Sequence, residues 1–205
     1  MVYSNGIDGR ALLDEISKII DKAAEQYKEK LASNEDISQN IVDGVELVLE
    51  SSNTSIYSEV LNCLKGKTLV TAESLTGGGI GAALTAIPGS SDVYKGGVIC
   101  YTNWVKQTIL GVPEEMLAQY GAVSEPVALA MASGARKLLQ ADVAVSVTGL
   151  AGPGGDEYGN PVGTVCIGYA DAQQTEVKRF VFSGDREAVR SQTIEAALKM
   201  ILINQ

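Results

Sequence analysis

The chain contains no histidine. That absence removes Ser-His-Asp triads, Cys-His dyads and every His-ligated metal centre, so a nucleophile here must use lysine, tyrosine or a carboxylate as its base. Cysteine is scarce: Cys63, Cys100 and Cys166 lie far apart with no C-x-x-C pair, and Cys100 and Cys166 sit in strand-like apolar runs. Buried, reduced thiols fit this pattern, whereas a disulfide framework or a zinc site does not. No G-K-[ST] follows a glycine loop, which excludes a P-loop. No apolar run reaches the roughly 18 residues of a membrane span. The N-terminus, MVYSNGIDGR, lacks the basic-then-apolar order of a signal peptide, so a cytoplasmic protein is expected. Cations are also outnumbered, with 16 Lys+Arg against 25 Asp+Glu and a net charge of −9. Neither a nucleic-acid backbone nor an anionic membrane would be gripped by such a chain, since both need clustered Lys/Arg.

What is present is enough apolar residue, 45% of 205, to bury one sizeable core with an appendage. The chain is organised around Lys67–Gly81, KTLVTAESLTGGGIG: a short apolar strand, a polar corner with Glu73, Ser74 and Thr76, and glycines opening an Ala-rich helix. Such a corner lifts its residues out of the sheet beside unpaired N–H groups and the positive end of the helix dipole. Ser74 is therefore the candidate centre of chemistry.

Before this stretch, Leu12, Ile16, Ile19, Ala23, Tyr27 and Leu31 recur at helical spacing, and Ile37, Ile41, Val45 and Val48 repeat the pattern. Residues 1–50 are expected to form a helical hairpin for packing or oligomerisation, which makes a homo-oligomer, a dimer first, the expected assembly. Ser55 caps a third short helix ending near Gly66.

After it, the Ile80–Ile87 helix stops at Pro88-Gly89, and Tyr94–Tyr101 reads as a buried strand. Asn103 is expected to cap a short helix carrying Lys106. Further helices start at Val112-Pro113 and at Ser124-Glu125-Pro126, the second running to about Leu139. ADVAVSVTG is a strand, the glycine-rich stretch from Gly149 is a loop, strands follow near Thr164–Ala170 and Glu176–Phe182, and Asp185 opens a last helix to Ile203. This alternation predicts a three-layer α/β/α sandwich, and the two adjacent last strands predict a mixed central sheet.

Gly77-x-Gly79-x-x-Ala82 matches a relaxed dinucleotide fingerprint, but it starts late after its strand and Asp92 precedes the next strand instead of closing it, which disfavours a Rossmann oxidoreductase. Tyr101 and Lys106 fall at the end of the next strand and in the next helix, on the same sheet rim as Ser74. A desolvated lysine there can act as base, with Tyr101 relaying the proton or holding the hydroxyl. The loop Thr148–Thr164, restrained by Pro153 and Pro161, offers backbone donors, and Arg186, in a first helical turn where it opposes the dipole, is a candidate anion binder.

Seven ordered blocks then carry a resemblance: TAES-x-TGG (Thr71–Gly78), GSS (Gly89–Ser91), Y-x-N-x-x-K (Tyr101, Asn103, Lys106), GAVSEPV (Gly121–Val127), TGLAGPGG (Thr148–Gly155), PVGTV (Pro161–Val165) and GDR-x-x-VR (Gly184–Arg190). From about residue 51 to 205 the chain resembles the CinA C-terminal domain family, whose active members are nicotinamide-nucleotide amidases. The first fifty residues are not covered, and the molybdopterin-binding-like domain of full-length CinA proteins is not matched. The resemblance implies hydrolysis of the carboxamide of nicotinamide mononucleotide without metal or organic cofactor, with Ser74 as nucleophile and Lys106 and Tyr101 as base and helper. Backbone N–H groups near Thr76–Gly78 are the expected oxyanion donors. The implied substrate pocket comprises Glu73, Thr76, Gly77, Gly78, Ser91, Asn103, Thr148, Gly149, Ala151, Gly152 and Arg186. Leu75 stands where many members carry Cys. The rival reading is a non-catalytic, CinA-type nucleotide-binding or regulatory module.

Overall fold

The computed structural model describes residues 55–205 and, before them, Lys18 alone, so the expected hairpin of residues 1–50 lies outside the described residues. In chain order come α1 (Ile56–Cys63), β1 (Leu69–Glu73), α2 (Gly79–Thr85), a 3-10 turn (Ser90–Asp92), β2 (Tyr94–Ile99), α3 (Asn103–Thr108), α4 (Glu114–Tyr120), α5 (Glu125–Leu139), β3 (Val143–Gly149), β4 (Thr164–Ala170), β5 (Thr175–Val181) and α6 (Arg186–Ile203).

The strands form one sheet in the order β2-β1-β3-β4-β5. β1 runs parallel to both β2 and β3, while β3–β4 and β4–β5 are antiparallel, which is the mixed sheet that the sequence predicts. Period-2 alternation sends Leu69 of β1 and Val143, Val145 and Val147 of β3 into one core with α1, α2 and α6. Val70, Ala72 and Ala144 face the other core, built with α5 and the segments before it. Helices thus cover both faces, and no described helix is long and apolar enough to cross a membrane.

Caps sit close to where the residue types demand them. The Ser55 hydroxyl accepts from Ser58 N–H and Asp185 from Ala188 N–H, opening α1 and α6. Two expectations need correction. Asn103 is not the cap of its helix; Thr102 is, through Val105 N–H, and Asn103 is the first helical residue. Nor is β2 buried: it ends the sheet and alternates between half-buried and exposed residues, and in its V-I-C run Val98 packs against the core while only Cys100 is fully buried.

From β1 the chain passes over the α2 face to β2, and from β2 back over the α5 face to β3, on the other side of β1. These opposed crossovers part at the carboxyl end of β1, the place where open α/β sheets leave a crevice. α5 is drawn tightly into this arrangement: Ser146 Oγ donates to Ala128 C=O at 2.6 Å. A Cβ on Gly134 would run into the Leu110 carbonyl oxygen. Gly134→Ala therefore gains about 1 kcal/mol of helix propensity but overpacks a backbone contact at the upper end of the usual cost of about 1–3 kcal/mol, and a net loss of about 2 kcal/mol is expected. A lowered midpoint in chemical denaturation checks this; an unchanged or raised midpoint would show that the Leu110 segment yields freely.

Candidate active site

Ser74 follows the last residue of β1 and is still held by the sheet. Its N–H donates to Val147 C=O at 3.0 Å, while Cys100 N–H donates to Glu73 C=O at 2.8 Å. Gly77 and Gly78 then take φ of +63° and +97°, conformations that cost a side-chain-bearing residue, and turn the chain into α2.

Beneath this turn lies Glu73, only 1% exposed. One carboxylate oxygen accepts from Thr71 Oγ1 (3.1 Å) and Gly81 N–H (3.0 Å); the other accepts from Thr76 Oγ1 (2.7 Å) and from Gly78 and Ile80 N–H (both 3.0 Å). A residue of β1 thereby occupies the N-terminus of α2 with its own negative charge. The donors expected to await a ligand around Thr76–Gly78 are largely used, because Gly77 N–H is also engaged, by Ser74 C=O at 3.1 Å. Within the elbow, the N–H groups of Leu75 and Thr76 have no partner among the described residues.

Lys106 reaches the corner from α3. Its Nζ donates to Ser74 Oγ at 3.2 Å and to Cys100 C=O at 2.8 Å. The side chain is 1% exposed, and burial pushes the ammonium pKa below its ordinary 10.5. No carboxylate bonds this amine among the described residues, and the neighbouring Cys100 opposes the effect of burial only in part. Cys100 is buried beside it, and burial raises its thiol pKa to about 11, leaving it protonated and inert at neutral pH.

A cavity of about 260 Å³ opens over this pair, lined by Ser74, Leu75, Tyr101, Asn103, Lys106, Ala122, Val123, Thr148, Gly149, Ala151 and Arg186. Thr148 Oγ1 donates to Ala122 C=O at 2.8 Å, tying the end of β3 to the bend before α5. The loop after β3 is held by its own turn more than by its prolines: the Asp156 carboxylate accepts from Tyr158 and Asn160 N–H, and Tyr158 OH donates to Ala118 C=O.

Two arginines one turn apart on α6 close the wall. Arg186 donates through Nη1 to Gly152 C=O (2.9 Å) and through Nη2 to Tyr101 OH (3.3 Å). Arg190 donates through Nε to Leu75 C=O (3.1 Å) and through Nη2 to Thr76 C=O (2.9 Å). Tyr101, 59% exposed, therefore meets Arg186 and makes no hydrogen bond to Ser74 or Lys106 among the described residues, unlike the direct relay that its place on the rim predicts.

Several expected pocket residues stand elsewhere. Glu73 and Thr76 bond to each other beneath the elbow, Gly77 and Gly78 form the turn, and Gly152 anchors Arg186. Ser91 lies in the 3-10 turn before β2, at the sheet edge opposite Ser74. Conversely, Leu75, Ala122 and Val123 line the cavity without having been singled out as pocket residues. They flank the motif residues, but apolar side chains carry no chemical signature to pick them out. No cluster of acids and cysteines that could hold a metal exists among the described residues.

Fold and crevice together define a three-layer α/β domain with a serine–lysine pair at the switch point of a mixed sheet. Residues 53–204 match the family model described as the CinA C-terminal domain, and the chain belongs to that family. Over 152 residues it is 49% identical to a CinA-like protein of Parasynechococcus marenigrum, covering 72% of this chain and 36% of that protein. It thus spans about a third of the length of that relative. It is also 48% identical over 138 residues to the nicotinamide-nucleotide amidohydrolase PncC of Escherichia coli, covering 67% of this chain and 84% of PncC. Among solved structures, a CinA-superfamily protein of Escherichia coli superposes with a TM-score of 0.72 at 36% identity, covering 73% of this chain and 88% of that one. The competence/damage-inducible protein of Agrobacterium tumefaciens gives 0.71 at 39% identity, covering 73% and 94%.

The Glu73 geometry can be tested on its own. Glu73→Gln puts an amide donor against N–H groups that need acceptors, and a loss of about 2–4 kcal/mol of stability is expected from stranding buried donors. Denaturation midpoints measure it, and a variant as stable as wild type would remove Glu73 as the fastening of the elbow.

Proposed function

We propose that the protein hydrolyses the carboxamide of nicotinamide mononucleotide, giving nicotinate mononucleotide and ammonia. The observation that carries this reading is the 3.2 Å hydrogen bond between Lys106 Nζ and Ser74 Oγ inside a cavity, in a chain that has no histidine. It is supported by the 48% identity to an enzyme named as a nicotinamide-nucleotide amidohydrolase.

In this mechanism the neutral amine of Lys106 takes the Ser74 proton as Oγ attacks the amide carbon. The oxyanion of the tetrahedral intermediate is met by the unengaged N–H groups of Leu75 and Thr76. The Lys106 ammonium then returns its proton to the departing nitrogen, the C–N bond breaks, and ammonia leaves an acyl-serine. Water attacks the ester with Lys106 again as base, releasing the acid and restoring Ser74. Leu75, Val123 and the exposed Tyr101 ring supply the flank for the pyridine ring. Arg186 spends two of its five N–H donors on Gly152 and Tyr101, and the rest face a phosphate. Tyr101 then acts on the substrate side, as the partner that orients Arg186, and the proton path runs through Lys106 alone.

Ser74→Ala is expected to lower ammonia release at least about 10³-fold while leaving the denaturation midpoint unchanged. Near wild-type turnover would end the serine mechanism, and a wild-type protein that binds the nucleotide without releasing ammonia would favour the non-catalytic module. The pH dependence supplies a second test. Because burial depresses the Lys106 pKa, kcat/KM should rise with pH along a limb whose midpoint lies below 10.5. Between the depressed value and 10.5 the native state holds fewer protons than the unfolded chain, so the stability attributable to this group also rises with pH across that interval. A limb at or above 10.5 would rule out this lysine as the base.

A further inference from the structure

We infer that Arg190 is a positioning residue for the oxyanion site, a role that rests on the amidase reading above. Its guanidinium grips two consecutive carbonyls of the elbow, those of Leu75 (Nε, 3.1 Å) and Thr76 (Nη2, 2.9 Å), the two residues that follow the nucleophile. In a trans peptide the C=O and the next N–H point in opposite directions. Holding Leu75 C=O therefore fixes the direction of Thr76 N–H, and holding Thr76 C=O fixes Gly77 N–H, which donates to Ser74 C=O. The Ser74 carbonyl in turn sets Leu75 N–H, which belongs to the same peptide unit. One side chain thus bears directly on two successive peptide units and, through the Gly77–Ser74 bond, on a third, among them the two whose N–H groups are unengaged.

The chemistry of the grip argues for this role. Arg190 has no acidic partner among the described residues; its charge is given to neutral carbonyls. Charge-assisted hydrogen bonds are about twice as strong as neutral ones, and a rigid planar fork holds two adjacent carbonyls in a fixed relative direction, which a rotating ammonium does not. The segment so held lies between the end of β1 and the start of α2; its other ties are Ser74 N–H to Val147 C=O, Gly77 N–H to Ser74 C=O, Gly79 N–H to Thr76 C=O at 3.2 Å and the Glu73 contacts from Thr76 onward, so at Leu75 C=O the guanidinium is the one partner among the described residues.

The test compares wild type with Arg190→Lys, which keeps the charge but not the fork, and with Arg190→Gln. Ammonia release from nicotinamide mononucleotide, denaturation midpoints and two affinities are read: one for nicotinate mononucleotide, the other for the aldehyde analogue of the substrate, which adds Ser74 Oγ to give a tetrahedral hemiacetal. In Arg190→Lys, kcat is expected to fall about 10²-fold with KM changed less than about threefold, and affinity for the aldehyde to fall with kcat while affinity for the acid holds. Unchanged kcat, or equal losses of affinity for aldehyde and acid, would overturn the inference while leaving the amidase reading intact. Should Arg190→Lys unfold, Arg190→Gln is judged by the same ratio of affinities, and the loss of both variants to unfolding would make Arg190 a stability residue and end the proposal. Wild-type protein that releases no ammonia would sink the functional reading, and this inference with it.

Discussion

Everything at the carboxyl edge of β1 depends on where one buried carboxylate goes. Carboxyl oxygens at 1% exposure need hydrogen-bond partners within the protein, and those of Glu73 accept from two threonine hydroxyls and three amides of the α2 start. The strand and the helix are thereby joined through a side chain as well as through the backbone between them. The consequence is a tight bend that holds Ser74, only 8% exposed, against the cavity. It also means that the helix terminus is satisfied from within and the amides of Gly78, Ile80 and Gly81 are not open to a ligand, while Arg186 lines another wall of the cavity.

The wall opposite is organised by α6. Its first two turns send Arg186 to the mouth and Arg190 to the elbow, and these reach three separate segments: the loop after β3, the exit from β2, and the residues following Ser74. Since α6 is anchored by Val189, Ala197, Leu198 and Ile201 in the same core as Val143, Val145 and Val147, the position of both arginines is set by the main apolar packing of the domain. Site geometry and core packing are in this sense one construction.

Much of this architecture is legible in the chain. The α/β alternation, the limits of α5 at Ser124 and Leu139, the cap at Asp185 and the mixed sheet follow from periodicity and from residue types with strong local preferences. The juxtaposition of Ser74 and Lys106 also follows, because consecutive parallel strands deliver their carboxyl ends to one rim. What local pattern does not disclose is sheet order, and so the edge position of β2. Nor does it show that Glu73 would satisfy the helix amides itself, that Tyr101 would turn to Arg186, or that Ser91 would fall at the far edge. Each of those depends on a partner distant in sequence. The apolar lining by Leu75, Ala122 and Val123 is invisible for a different reason: a small hydrophobic residue reads the same whether it faces a core or a cavity.

The seclusion of Lys106 has an evolutionary corollary. A buried amine with only Cys100 C=O and Ser74 Oγ as hydrogen-bond partners detracts from folding at neutral pH, and an unbranched apolar side chain of similar length would fill the same space without that penalty. Variation selected for heat resistance alone would accordingly drift away from lysine at this position. Fold stability alone therefore does not account for a lysine here.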